Sequence, residues 1–191
     1  MAELPCVALL AAGTATRFGG GKLDAPCAGK PLGQWALDRV AEAGLPPGLI
    51  VTGPEAPRFV ASAEGWELIV NPQPARGLGT SVALAAQAAI RRRAPALLVL
   101  LADMPLVPAE LLRRLASTAP PAAVSHGGRP GVPALFGAEL LPRLAALSSD
   151  RGAGELLAGL ASTTLIPPPG ALLDVDTQDD LAEAEAALRA G

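Results

Sequence analysis

The chain has 191 residues, half of them apolar and 17% charged, with a net charge of −3 and only two lysines, Lys22 and Lys30, among its 15 cationic side chains. Such a length suits one compact domain with a buried core, and a mean hydropathy of +0.37 excludes a chain disordered throughout. The acidic balance leaves no basic face for nucleic acid or an anionic membrane, no apolar run reaches the roughly eighteen residues of a membrane span, and Met1–Gly13 lacks the basic start of a signal peptide. Cys6 and Cys27 fit neither a disulfide framework nor a zinc site, so a cytoplasmic protein is expected.

Strand-length apolar runs alternate with segments of helical period. Leu4–Ala11 reads as a buried strand, followed by a glycine-rich loop to about Pro31. Leu32–Ala43 places Leu32, Trp35, Ala36, Val40 and Ala43 on one helical face. Gly48–Thr52 reads as a short strand, Glu55–Ala63 as a short helix, Trp66–Val70 as a strand and Thr80–Arg92 as an alanine-rich helix. Ala96–Ala102 is a continuous apolar run of the kind found in a central parallel strand covered on both faces. Ala109–Leu115 is helical in period. Beyond it, Ala122–Ser125 and Val132–Phe136 read as strands joined by a turn from His126 to Gly131, and Ala138–Ala146 and Ala153–Ala161 as short helices. Thr163–Ile166 and Leu172–Val175 read as short strands, and Thr177–Asp180 as a capping box before a last helix, Leu181–Arg189. The alternation predicts an α/β fold, a Rossmann-like doubly wound and mostly parallel sheet in a single domain, in which ligands bind at the carboxyl ends of the strands.

The first loop is Leu10-Ala11-Ala12-Gly13, three residues, then Arg17-Phe18-Gly19-Gly20-Gly21-Lys22. Small residues let backbone N–H groups surround an anion, and Arg17 and Lys22 add two charges, with Lys30 close behind. Both lysines of a lysine-poor chain thus flank one glycine loop, which points to polyphosphate binding. The loop matches neither a Walker A sequence nor a Gly-x-Gly-x-x-Gly fingerprint. Asp103 closes the most apolar strand, in Leu100-Leu101-Ala102-Asp103-Met104-Pro105, where a carboxylate can hold Mg²⁺ against phosphate oxygens. Asp174 and Asp176 both offer a second carboxylate, and spacing does not choose between them. Asn71, the only asparagine, opens a turn through Gly77 and Gly79 to Ser81 at a helix start. No Ser-His-Asp or Cys-His set is evident, and the single histidine, His126, falls beside Gly127-Gly128 as a turn residue.

The long first motif, continued by Gly29-Lys30-Pro31-Leu32, resembles the signature of the MobA-like nucleotidyltransferases, nearest to the molybdenum cofactor cytidylyltransferases. That resemblance implies a nucleotide-diphospho-sugar transferase-like fold, with residues 1–118 as the nucleotide-binding half and 119–191 as the acceptor-binding half. It implies nucleotide binding by Leu10, Ala11, Ala12, Gly13, Arg17, Lys22, Asn71, Gly77, Gly79 and Ser81, and catalysis by Arg17, Lys22 and Asp103. It also implies Mg²⁺ held by Asp103 and Asp176, the aspartate directly before Thr177 being the one related enzymes use. Ala12 favours CTP, because the guanylyl branch has glycine there. The implied reaction moves CMP from CTP to a phosphate-bearing acceptor such as molybdopterin and releases pyrophosphate. The acceptor half departs from the family pattern: Val132 stands where a histidine is usual and Gly154 where an arginine is, and Asp24 replaces a common apolar residue. Competing readings are a guanylyltransferase, a sugar-phosphate nucleotidyltransferase, and a noncatalytic nucleotide-binding or cofactor-handover protein.

Overall fold

A computed structural model describes residues 3–13, 17–148, 159 and 162–190. Its strands are β1 (Cys6–Ala11), β2 (Pro26–Cys27), β3 (Lys30–Pro31), β4 (Leu49–Thr52), β5 (Glu67–Val70), β6 (Ala96–Leu101), β7 (Ala122–His126), β8 (Arg129–Gly137) and β9 (Thr163–Leu165). The described α-helices are α1 (Leu32–Glu42), α2 (Leu78–Arg91), α3 (Ala109–Ser117), α4 (Leu141–Ala145) and α5 (Gln178–Ala190). Seven strands form one sheet in the order β5-β4-β1-β6-β8-β7-β9, and β2 and β3 form a separate small ribbon. Only β8 runs against its neighbours, so the sheet is mostly parallel as the alternating pattern requires.

Side-chain alternation builds the two cores. Val7, Leu9 and Ala11 of β1, with Leu98 and Leu100 of β6, face α1 and α3 through Leu32, Ala36, Val40, Leu112 and Leu115. Ala8 and Leu10, with Leu97 and Val99, face α2 and α4 through Val82, Ala85, Ala89, Leu141 and Leu144. A strand covered on both sides reads as an unbroken apolar run because every position is buried. Each fully buried leucine or valine contributes about 1.5–3 kcal/mol relative to exposure. The chain leaves β1 for β4 and β5 on one side, then returns through α2 to β6 on the other. This reversal opens a crevice beyond the carboxyl ends of β1, β4 and β6.

Several local expectations are corrected. Leu172–Val175 is not a strand: the segment crosses the end of β6 instead of running beside a sheet edge, and Val175 N–H donates to the Asp103 carbonyl at 3.0 Å. The helix expected over Glu55–Ala63 is a 3-10 turn over Arg58–Ser62, since Pro57 has no N–H for an earlier helical bond. Ala138–Ala146 divides into a 3-10 turn and α4, with Pro142 in the first turn of that helix. His126 belongs to β7 and pairs with Arg129, which leaves Gly127 and Gly128, both at positive φ, as the turn. The helix expected over Ala153–Ala161 and the segment Ser149–Gly154 lie outside the described residues. The Thr177–Asp180 capping box is present: Asp180 N–H donates to Thr177 Oγ1 at 3.2 Å, and Thr177 N–H donates to Asp180 Oδ2 at 2.7 Å.

Gly48 enters β4 against β1, and a Cβ there would lie 2.0 Å from the Val7 carbonyl oxygen. Gly48→Ala should therefore destabilise the fold by about 1–3 kcal/mol or more, measured by thermal unfolding.

Candidate active site

The crevice holds a cavity of about 520 Å³ lined by the end of β1 and its loop (Leu10–Gly13, Gly20–Asp24), the segment after β4 (Gly53–Pro57), Pro74 and Asp103. Gly19, Gly20 and Gly21 have φ of 91°, 96° and 62°, a left-handed run that only glycine adopts without strain. It returns the loop to the crevice as a short 3-10 turn, Lys22–Asp24, which buries Leu23.

Lys22 stands at the centre. Its side chain is only 6% exposed, and its ammonium donates to Asp103 Oδ2 at 2.8 Å and to Asp176 Oδ1 at 3.1 Å. Burial alone would lower the lysine pKa; Asp103, Asp176 and the more distant Asp174 outweigh it and hold the ammonium charged. Arg17, largely exposed, donates to Asp176 Oδ2 at 3.2 Å. Asp103 stands two residues beyond the end of β6. Val175, fully buried, is pinned to the Asp103 carbonyl, and this docks Asp174 and Asp176 beside it. Asp176 shares the Lys22 ammonium with Asp103, whereas Asp174 acts on it only at longer range.

Asp174 differs. Although the residue as a whole is exposed, its carboxyl is pushed up to about 6, first by burial, then by the charges of Asp103 and Asp176, with Lys22 opposing. Asp103 Oδ1 is buried without a hydrogen-bond partner, and a hydrogen bond with Asp103 also favours the protonated form of Asp174. The folded value lies above the ordinary 3.8, so this contribution to stability is present at low pH and lost as pH rises through about 6. The unfolding midpoint of the metal-free protein should carry that decline from about pH 4 to about pH 7, and Asp174→Asn should flatten it in calorimetry.

Other expected site residues fall differently. Leu10, Ala11, Ala12 and Gly13 line the cavity. Asn71 is 1% exposed and commits its side chain to the turn: Nδ2 donates to Thr80 Oγ1 at 2.8 Å and Ser81 Oγ at 2.9 Å, and Oδ1 accepts from Gln73 N–H at 2.9 Å. Neither Asn71, Gly77, Gly79 nor Ser81 lines the cavity, and only Pro74 of this turn does. The side chains of Asn71 and Ser81 hold the shape of the turn. Gly77, with φ 106° and ψ 169°, makes the bend into α2. Lys30 is also turned away from the phosphate loop. It pairs with Asp38, and its ammonium lies 3.6 Å from the centre of the Trp35 ring. The wall Gly53–Pro57 and the role of Asp24 were not foreseen. Asp24 accepts from the N–H groups of Arg58 at 2.8 Å and Phe59 at 2.9 Å.

Two carboxylates and a buried cation, facing a glycine loop at the switch point of a mostly parallel sheet, suit the binding of phosphate groups and their transfer between oxygens. Fold and site together define a nucleotidyltransferase. The chain belongs to the MobA-like NTP transferase family, whose domain pattern matches residues 7–164. It is 29% identical over 189 residues to the purine catabolism protein PucB of Bacillus subtilis, covering 90% of this chain and 91% of that one. It resembles the structure of Rv0371c from Mycobacterium tuberculosis H37Rv with a TM-score of 0.81 and 26% identity, over 97% of this chain and 100% of that one. Rv0371c has also been crystallised as a manganese complex, which this chain matches with a TM-score of 0.76 at 24% identity, over 97% and 100% of the two chains. A nucleotidyl transferase from Methanothermobacter thermautotroptrophicus shares the fold, with a TM-score of 0.85 at 20% identity over 100% of each chain. Among the described residues no helix is long and apolar enough to cross a membrane.

Proposed function

We propose that the protein transfers a nucleoside monophosphate, CMP from CTP, to a phosphate-bearing acceptor such as molybdopterin, with Mg²⁺ held by Asp103 and Asp176. The observation that carries the reading is the Lys22 ammonium bridging Asp103 and Asp176 at the edge of the cavity. A cation-sized position between two hard oxygen donors, with Asp103 Oδ1 buried and lacking a donor, fits a divalent cation. Among the described residues no three His, Cys, Asp or Glu side chains are grouped to hold a metal by themselves. Two carboxylates match Mg²⁺, which takes most of its remaining ligands from water and substrate phosphates. Bound there, Mg²⁺ would neutralise phosphate charge and orient the phosphates for in-line attack.

The protein's own groups account for the rest. Backbone N–H groups of the first loop and the cations of Arg17 and Lys22 receive the triphosphate. Lys22 and Arg17 leave their carboxylates for phosphate oxygens, where they stabilise charge that builds on the leaving pyrophosphate. A phosphate monoester acceptor is already an anion and a nucleophile, so no general base is needed. CTP is favoured by Ala12, whose methyl occupies the cavity wall where glycine would leave room for a larger base. Such a difference supplies about 1–3 kcal/mol of discrimination. The acceptor is assigned by family resemblance alone.

Pyrophosphate release should require a divalent cation and be fastest with CTP when each of the four NTPs is offered with molybdopterin. Asp103→Asn should lower the rate at least about 100-fold while leaving the thermal unfolding transition cooperative. Wild-type turnover in Asp103→Asn would refute the carboxylate assignment.

A further inference from the structure

The residues lining the cavity divide by chemistry: Gly20, Gly21, Lys22 and Asp103 bring backbone donors and a cation, whereas Pro54, Glu55, Ala56, Pro57 and Pro74 include one carboxylate and no cation. Glu55 would repel a triphosphate placed against this second group. A nucleotide bound as proposed above therefore lies with its phosphates at Lys22 and its nucleoside between Leu10–Gly13 and the wall Gly53–Pro57.

That wall is in neither helix nor strand from Gly53 to Pro57. Its upstream end is held by β4, fully buried in the sheet. Its downstream end is the 3-10 turn Arg58–Ser62, whose own N-cap, Pro57, gives no side-chain cap. The missing acceptor arrives from a different part of the chain. Asp24 Oδ2 accepts from Arg58 N–H at 2.8 Å and Oδ1 from Phe59 N–H at 2.9 Å, so one carboxylate satisfies two adjacent donors. Phe59, 3% exposed, packs on Gly33 of α1, where a Cβ would lie 2.5 Å from the ring. Asp24 is also the last residue of the turn that begins with Lys22. Three consecutive residues thus couple three parts of the site: Lys22 reaches the carboxylates, Leu23 enters the core, and Asp24 holds the opposite wall.

We infer that Asp24 is a positioning residue that fixes the nucleoside wall of the cleft relative to the phosphate loop. It touches no reacting atom; it sets the width of the space that receives the nucleoside. The inference rests on the reading of this cleft as a nucleotide site. It predicts a split between the two ends of the ligand. A purely structural role would weaken all ligands together or lower stability alone, whereas loss of the wall weakens nucleoside contacts and spares the phosphate cradle.

The test is calorimetric binding of CTP and of inorganic tripolyphosphate, each with Mg²⁺, to the wild type, Asp24→Ala and Asp24→Asn, well below their unfolding midpoints. Asp24→Ala should lose roughly 10- to 100-fold in CTP affinity with tripolyphosphate affinity unchanged. Asp24→Asn, which keeps one acceptor oxygen, should recover part of the CTP affinity. CTP binding equal to wild type in both variants would overturn the inference, as would an equal loss for both ligands. A wild type that binds tripolyphosphate and no nucleotide would instead refute the nucleotide reading of the cleft itself.

Discussion

A buried ammonium organises this molecule's working end. Lys22 loses most of its hydration, and a lysine in that position is tolerated only with charged partners in good geometry. Its partners are 81 and 154 residues away in sequence, one beyond the end of β6 and one just before α5. Neither local propensity nor a single motif can bring these groups together; the folded sheet does. The left-handed glycine run before Lys22 and the Val175–Asp103 backbone bond are the two local devices that complete the approach. Because the cation and the carboxylates neutralise one another, the charges that the proposed reading assigns to substrate and metal are already held in place in the free chain.

The same logic explains the division of labour around the cavity. In the proposed reading phosphate is met on the β1 loop, where backbone donors and cations concentrate, and the rest of the nucleotide on Gly53–Pro57 and Pro74, which carry no cation. The turn through Asn71 spends its side-chain hydrogen bonds internally, so its part is to deliver Pro74 and start α2. Asp24 fastens the Gly53–Pro57 wall to the turn that carries Lys22.

Much of this was legible in the sequence because it depends on short-range order. Continuous burial made β1 and β6 readable as apolar runs, and the fixed spacing from Leu10 to Lys22 marked a loop that lines the cavity. Asp103 was readable because a charge ending such a run must face a crevice or water. What remained hidden depends on long-range contacts. Asp174 and Asp176 have the same alternation, and only the Lys22 ammonium distinguishes them. Lys30 shares the neighbourhood of the loop in sequence, yet Asp38, in the second turn of α1, and the Trp35 ring draw it away. Leu172–Val175 has strand composition but no sheet edge to join. The part Asp24 plays is hidden in the sequence because its two donors, on Arg58 and Phe59, are 34 and 35 residues away.

The central claim is that Lys22 holds the metal carboxylates together until a triphosphate takes the lysine away. Titrating Mn²⁺ against the protein and following the free ion by electron paramagnetic resonance tests it directly. Wild type should bind Mn²⁺ weakly alone and much more tightly with CTP present, and Lys22→Met should bind Mn²⁺ tightly without any nucleotide. Equal Mn²⁺ affinity with and without CTP, together with no gain in Lys22→Met, would contradict the account.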